Sequence, residues 1–209
     1  MGGGRNHRSL LDVDPSRERF LGADMWVILP QGEDGWYINS PVQSQDRYED
    51  YLSEMIAFAK TEFGLSQPPS HWSITGWSMG GYGAVRYATR YPENFGSVSA
   101  MIGLLDFPRD ASLPDGQNYV VPLERFGQSA AVWAEFNPIN AVARLQGKPV
   151  LLITADAAFD RTMNENFSTA LVAAKIQHRI TTLEGAHTFE VVQEALPLVL
   201  DFVSENASR

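Results

Sequence analysis

His71-Trp72-Ser73-Ile74-Thr75-Gly76-Trp77-Ser78-Met79-Gly80-Gly81-Tyr82 is the stretch that decides the fold of this 209-residue chain. Its first five residues, HWSIT, carry β-branched and aromatic side chains and predict a strand. Tyr82 to Arg90 (YGAVRYATR) predicts a helix with Ala84, Val85 and Ala88 on one face. Between them lies Gly-x-Ser-x-Gly, the pattern of a nucleophile elbow. The serine of such an elbow sits on a strained backbone, and small flanking residues let strand and helix close without clashing. The strand lifts the hydroxyl to the sheet's C-terminal edge. The helix that follows aims its free N–H groups at any oxyanion formed there.

Outward from this junction, strand and helix patterns alternate. Asp24 to Pro30 (DMWVILP) predicts a buried strand, and Arg47 to Phe63 a helix with Tyr51, Met55, Phe58 and Ala59 as its apolar stripe and Gly64 as its stop. Phe95 to Met101, Pro149 to Thr154 and His178 to Leu183 predict further strands. Thr162 to Lys175 and Thr188 to Val203 predict helices. Leu104 to Asn140 is irregular and proline-bearing, with a short helical stretch around Trp133 and Phe136. It is expected to be an insertion, or lid, over the site. Alternating βα units predict an α/β fold with a mostly parallel sheet and helices on both faces. No repeat or low-complexity segment interrupts residues 1–209, so a single domain is expected.

Composition narrows the function. A net charge of −9 without a Lys/Arg-rich block argues against nucleic acid and anionic membranes as partners. The absence of cysteine excludes thiolate chemistry and disulfides. No apolar run reaches the roughly 18 residues of a membrane span. The first residues lack the apolar core of a signal peptide, so the expected compartment is cytoplasmic.

A serine nucleophile needs a base, and the base needs a carboxylate to orient it. Of the four histidines, His7 falls in the first loop, and His71 and His178 fall at the starts of strands, away from the elbow's edge. His187 follows a strand and precedes a helix, which places it on the edge that carries Ser78. The loop after PVLLIT offers two acids, Asp156 and Asp160. Either could instead cap a turn or the next helix, and position alone leaves both open. The order Ser, Asp, His along the chain is that of the α/β-hydrolases.

Gly76 to Tyr91 (GWSMGGYGAVRYATRY) resembles the putative esterase family, which includes tributyrin-type esterases, esterase D, feruloyl and acetylxylan esterases and the mycolyltransferases. Gly35 to Ser40 (GWYINS) resembles a segment these esterases carry ahead of the elbow, and Gly185 to Glu190 (GAHTFE) resembles their histidine segment. Asp160 to Asn166 (DRTMNEN) resembles their acid motif, an aspartate with an asparagine six positions later, and this favours Asp160 over Asp156. The resemblance, closest to the tributyrin-type esterases, spans nearly the whole chain. It implies an α/β-hydrolase acting on short-chain or carbohydrate-linked carboxylic esters through Ser78, His187 and Asp160, with no metal or organic cofactor. The backbone N–H of Met79 and one from Gly3 or Gly4 would form the oxyanion hole. Trp36, Tyr37, Asn39 and Trp77 are expected to line the substrate.

The resemblance departs at the N-terminus. Met1 to Leu11 (MGGGRNHRSLL) resembles the family's glycine-rich loop after its third strand, and the strands that would precede it are missing. The expectation is an N-terminally shortened α/β-hydrolase, in which DMWVILP either pairs directly with the nucleophile strand or leaves a gap beside it. Two other readings belong to this sequence: acyl transfer instead of hydrolysis, and a hydrolase-like scaffold that has lost catalysis.

Overall fold

Four of the expected apolar runs form one parallel sheet. The computed structural model describes residue 3 and residues 6–113 and 118–207. In chain order the elements are α1 (Asp14–Gly22), α2 (Tyr48–Glu62), β1 (Ser73–Trp77), α3 (Met79–Arg90), β2 (Ser97–Met101), α4 (Leu123–Phe126), α5 (Ala130–Phe136), β3 (Val150–Ala155), α6 (Arg161–Ala173), β4 (His178–Leu183) and α7 (Phe189–Ala207). A 3-10 helix, Pro138–Leu145, joins α5 to β3. The strands lie in the order β1-β2-β3-β4, every pair parallel, with Trp77 level with Met101 and Ala155 level with Leu183.

β2 and β3 are buried throughout, as strands covered on both faces must be. The period of two divides their side chains between two apolar layers. Val98, Ala100, Val150 and Leu152 pack with Tyr82, Val85 and Phe167 of α3 and α6. Met101, Leu151, Ile153 and Ala155 pack on the opposite face with Val192, Leu196 and Val199 of α7. α3 is buried from Met79 to Thr89 because it is enclosed between the sheet and the insertion. Tyr82 donates its hydroxyl to the Phe136 carbonyl at 2.9 Å. Arg86 donates to the Glu135 carbonyl and lies over the Phe136 ring.

Two sequence expectations are corrected. Residues 24–30 run without regular structure and pair with no strand, so DMWVILP is not a buried strand. Trp26 is 68% exposed. The residue types are right for a strand, but no sheet edge reaches them. The second correction concerns α2, whose buried stripe runs through Leu52 and Ala59, with Met55 and Ile56 partly buried. Tyr51 and Phe58 face outward. Buried Glu49 sets this rotation, because its carboxylate accepts from the Tyr91 hydroxyl at 2.8 Å and from Arg90 Nε at 3.3 Å. Gly64, at φ 63°, ends the helix as expected.

β1 has a partner on one side only among the described residues. Beside its open edge lies a cavity, a slot of about 780 Å³. Residues 24–30 and all of β1 contribute to its walls, and α3 and α7 cover it. Among the described residues no helix is long and apolar enough to cross a membrane.

Candidate active site

Ser78 sits between β1 and α3 with φ 53° and ψ −122°, a conformation that costs a non-glycine residue on the order of 1–3 kcal/mol. The sequence forces this turn. A Cβ on Gly76 would fall 2.2 Å from the Gly80 carbonyl oxygen, and one on Gly81 would fall 2.8 Å from the Gly103 Cα. Only glycine lets strand, turn and helix approach so closely. The Ser78 amide donates to the Met101 carbonyl at 3.0 Å and ties the turn to the end of β2.

The Ser78 hydroxyl lies 2.8 Å from His187 Nε2. His187 Nδ1 lies 2.6 Å from Asp160 Oδ1. A buried carboxylate on Nδ1 makes that nitrogen the proton carrier and leaves Nε2 free to accept from the serine. Asp160 is fully buried, and its other oxygen accepts from Thr154 Oγ1 and from Asn164 Nδ2, each at 2.9 Å. Asn164 Nδ2 also lies 2.8 Å from the Gly103 carbonyl. The acid therefore has hydrogen bonds at both oxygens, which holds its carboxylate plane fixed.

Asp156 does a different job. Its Oδ1 accepts from the Gly185 amide at 2.9 Å, and the Ala157 amide donates back to the Gly185 carbonyl at 2.8 Å. These bonds join the loop after β3 to the loop carrying His187, with Gly185 at φ 123° making the turn. Phe159 lies 4.4 Å from the His187 ring, centroid to centroid, and Tyr119 of the insertion stacks on Phe159 at 5.0 Å.

The other expected site residues have the following surroundings. Trp36 is buried in an aromatic cluster with Tyr82, Phe107 and Phe126. Tyr37 is buried, packs over Gly83, and has its hydroxyl pKa pushed up by burial. Asn39 exchanges hydrogen bonds with Asp50 in the first turn of α2. Trp77 is buried against the α7 face and lines the slot beside β1. Met79 is buried and opens α3, where its N–H has no intrahelical acceptor. Gly3 lies in an exposed turn, and Gly4 lies outside the described residues.

Sequence reasoning missed Thr154, Asn164, Phe159 and Tyr119. A signal existed for Asn164, which lies four residues after Asp160 and so on the same helical face. The asparagine six positions on, Asn166, donates instead to Asp106 at 3.0 Å. No group of three or more His, Cys, Asp or Glu side chains among the described residues is arranged to hold a metal.

A parallel sheet with helices on both faces and a strained strand-to-helix serine facing histidine and aspartate define an α/β-hydrolase. The chain belongs to the putative esterase family, whose description it matches over residues 17–203. It is 33% identical over 88 residues to an acetyl esterase of Caldicellulosiruptor saccharolyticus, covering 42% of this chain and 33% of that protein. It is 26% identical over 205 residues to an esterase of Mycobacterium tuberculosis, covering 83% of this chain and 44% of that one. The chain thus spans less than half the length of either relative. Among solved structures, a ferulic acid esterase superposes with a TM-score of 0.78 at 20% identity, over 98% of this chain and 82% of that one. The Staphylococcus aureus fluorophosphonate-binding serine hydrolase F gives 0.79 at 18% identity, over 97% and 80%. At these identities the structural likeness speaks for the fold.

Proposed function

We propose that this chain is a serine esterase that hydrolyses small, short-chain carboxylic esters through an acyl-enzyme on Ser78. The observation that carries the reading is the unbroken hydrogen-bond chain from the Ser78 hydroxyl through His187 to buried Asp160. Its placement on a strained elbow adds to it.

Ser78 Oγ attacks the ester carbonyl carbon while its proton passes to His187 Nε2. Asp160 stabilises the imidazolium and holds its orientation. The carbonyl oxygen becomes an oxyanion facing the Met79 N–H, with Gly3 or Gly4 as source of the second donor. One such donor is typically worth about 10²–10³ in kcat. Collapse expels the alcohol, which takes the proton from Nε2. Water then repeats the sequence against the acyl-serine. His187 takes its proton, and the second collapse returns that proton to Ser78 Oγ and frees the carboxylic acid. The insertion at 104–140 serves as the cover of the site. Its Tyr119 supports Phe159 against the imidazole, which favours that role.

The test is labelling with a fluorophosphonate probe alongside hydrolysis of p-nitrophenyl acetate and butyrate. Labelling at Ser78 with matching loss of hydrolysis supports the esterase. A folded protein that neither labels nor turns over would make the chain a hydrolase-like scaffold.

A further inference from the structure

His187 stands on an exposed turn. Glu184, Ala186 and Thr188 around it are exposed, and Gly185 turns the chain at φ 123°. The backbone therefore encloses the imidazole little, and side-chain contacts have to set its plane. Asp160 alone does not set it. Its bond to Nδ1, at 2.6 Å, restrains one edge of the ring, and a ring held at one edge can still tip. Tipping carries Nε2 off the line to Ser78 Oγ, and a displacement of about 1 Å can cost about 10²-fold in rate.

The second restraint lies one residue before the acid. The Phe159 ring meets the imidazole at 4.4 Å between centroids, with the planes 33° apart. Phe159 is 40% exposed, so it is not there to fill the core. Its backbone is tied on both sides. The Ala158 amide donates to the Ala155 carbonyl at 3.2 Å, and the Arg161 amide donates to the Ala158 carbonyl at 3.1 Å. Tyr119 stacks on Phe159 with the planes 7° apart, and it meets the buried Phe107 edge-on at 5.4 Å. Phe107 stacks in turn on Trp36 at 4.5 Å. An unbroken column of rings thus runs from the core out to the His187 imidazole.

We propose that Phe159 is a positioning residue for the esterase reaction: its ring holds the plane of the His187 imidazole while Asp160 holds the edge, and Tyr119 keeps Phe159 in place from the insertion. The proposal rests on the esterase reading above. Two consecutive residues then fix the face and the edge of one ring. Offset rings attract through their faces, and the small tilt of Phe159 to both Tyr119 and His187 directs its face contacts to them rather than to a substrate. Phe159 has no atom that can exchange a proton, so its part is mechanical. Through Tyr119 the insertion bears on the base as well as covering the site.

The test compares Phe159→Leu, Phe159→Tyr and Tyr119→Leu with wild type on p-nitrophenyl acetate and butyrate. It also reads the His187 imidazole protons by NMR in the resting protein. Phe159→Leu is expected to lower kcat about 10- to 100-fold, equally on both esters and with KM unchanged. Phe159→Tyr keeps the ring and should bring kcat back to within about threefold of wild type. Because Phe159→Leu can loosen its own loop, Tyr119→Leu is run beside it. That variant leaves the acid's loop untouched and should lower kcat by a smaller factor, adding nothing to Phe159→Leu in the double variant. The imidazole protons lie against the Phe159 ring and are shielded by it, so they should move downfield in Phe159→Leu and hold their place in Phe159→Tyr. Wild-type kcat in Phe159→Leu or in Tyr119→Leu overturns the proposal. So does a loss carried by KM or growing from acetate to butyrate, which would make Phe159 a wall of the substrate site, and so do unmoved imidazole resonances. A wild-type chain that neither labels with fluorophosphonate nor turns over would sink the esterase reading, and the resonances would still decide whether Phe159 holds the ring.

Discussion

Asp160→Asn tests the site most sharply, because the surrounding hydrogen bonds dictate which way the new amide must face. Asp160 Oδ2 accepts from Thr154 Oγ1 and from Asn164 Nδ2. Thr154 can rotate its hydroxyl away, but the Asn164 amide is also directed at the carbonyls of Gly103 and Asp160 and cannot become an acceptor there. The oxygen of the new amide is therefore drawn to the Thr154–Asn164 side, and its NH2 faces His187 Nδ1. An NH2 at that position forces Nδ1 to accept, which moves the imidazole proton to Nε2, 2.8 Å from Ser78 Oγ. Nε2 then cannot take the serine proton. The wrong tautomer is expected to lower kcat by about 10⁴ on p-nitrophenyl acetate while KM changes little. Fluorophosphonate labelling should slow in parallel, and thermal unfolding should remain a single transition. A variant within about tenfold of wild-type kcat would refute the tautomer argument and Asp160's role with it.

Ser78→Ala and His187→Ala should each remove about 10⁶ in kcat, and the double variant no more than either, because the two act as one unit in steady-state hydrolysis. Asp156→Asn keeps an oxygen able to accept from the Gly185 amide, so it should cost less than about tenfold; a loss equal to that of Asp160→Asn would give Asp156 the acid's part. Asn39→Ala removes both bonds to Asp50 and is expected to lower the thermal midpoint by about 3 °C with KM unchanged; a raised KM and an unchanged midpoint would return Asn39 to the substrate side. Asn39 and then Arg47 hold the Asp50 carboxyl below its ordinary range. Asp50's contribution to stability is thus present above the usual carboxylate pKa and lost as pH falls through the lowered one. Wild type and Asn39→Ala should accordingly converge in midpoint on acid titration, and a gap that widened toward low pH would oppose this.

The sequence carried the chemistry more fully than the packing. Gly76 announces the turn because a Cβ there would collide with the Gly80 carbonyl four residues on, and that constraint is local. β2 and β3 were legible because strands buried on both faces require unbroken apolar runs. DMWVILP shows where local reading stops. Its residues suit a strand, but strand formation depends on a neighbouring edge, and β1 lies across the slot. The stripe of α2 was misplaced because periodicity does not foresee that Glu49 is buried against Arg90 and Tyr91 at the end of α3. Asn39 was read toward the substrate, and its bonds to Asp50 in the first turn of α2 could not be read from the sequence. The network behind Asp160 joins β3, α6 and Gly103, which only folding brings together.

Gly103 supports both halves of the site. The start of α3 rests against its Cα, and Asn164, which holds the acid, lies against its carbonyl. The insertion begins one residue later. Ser78 and Asp160 thus share a foundation that lies outside 104–140. With 104–140 as the cover proposed above, changes beyond Gly103 that keep Tyr119 would alter which esters are admitted without redrawing the reacting atoms. For protein engineering, the exposed part of 104–140 is then the place to vary, because its buried Phe107, Phe126 and Phe136 belong to the core. Libraries confined to it should diversify substrate preference while retaining reactivity toward a small fluorophosphonate.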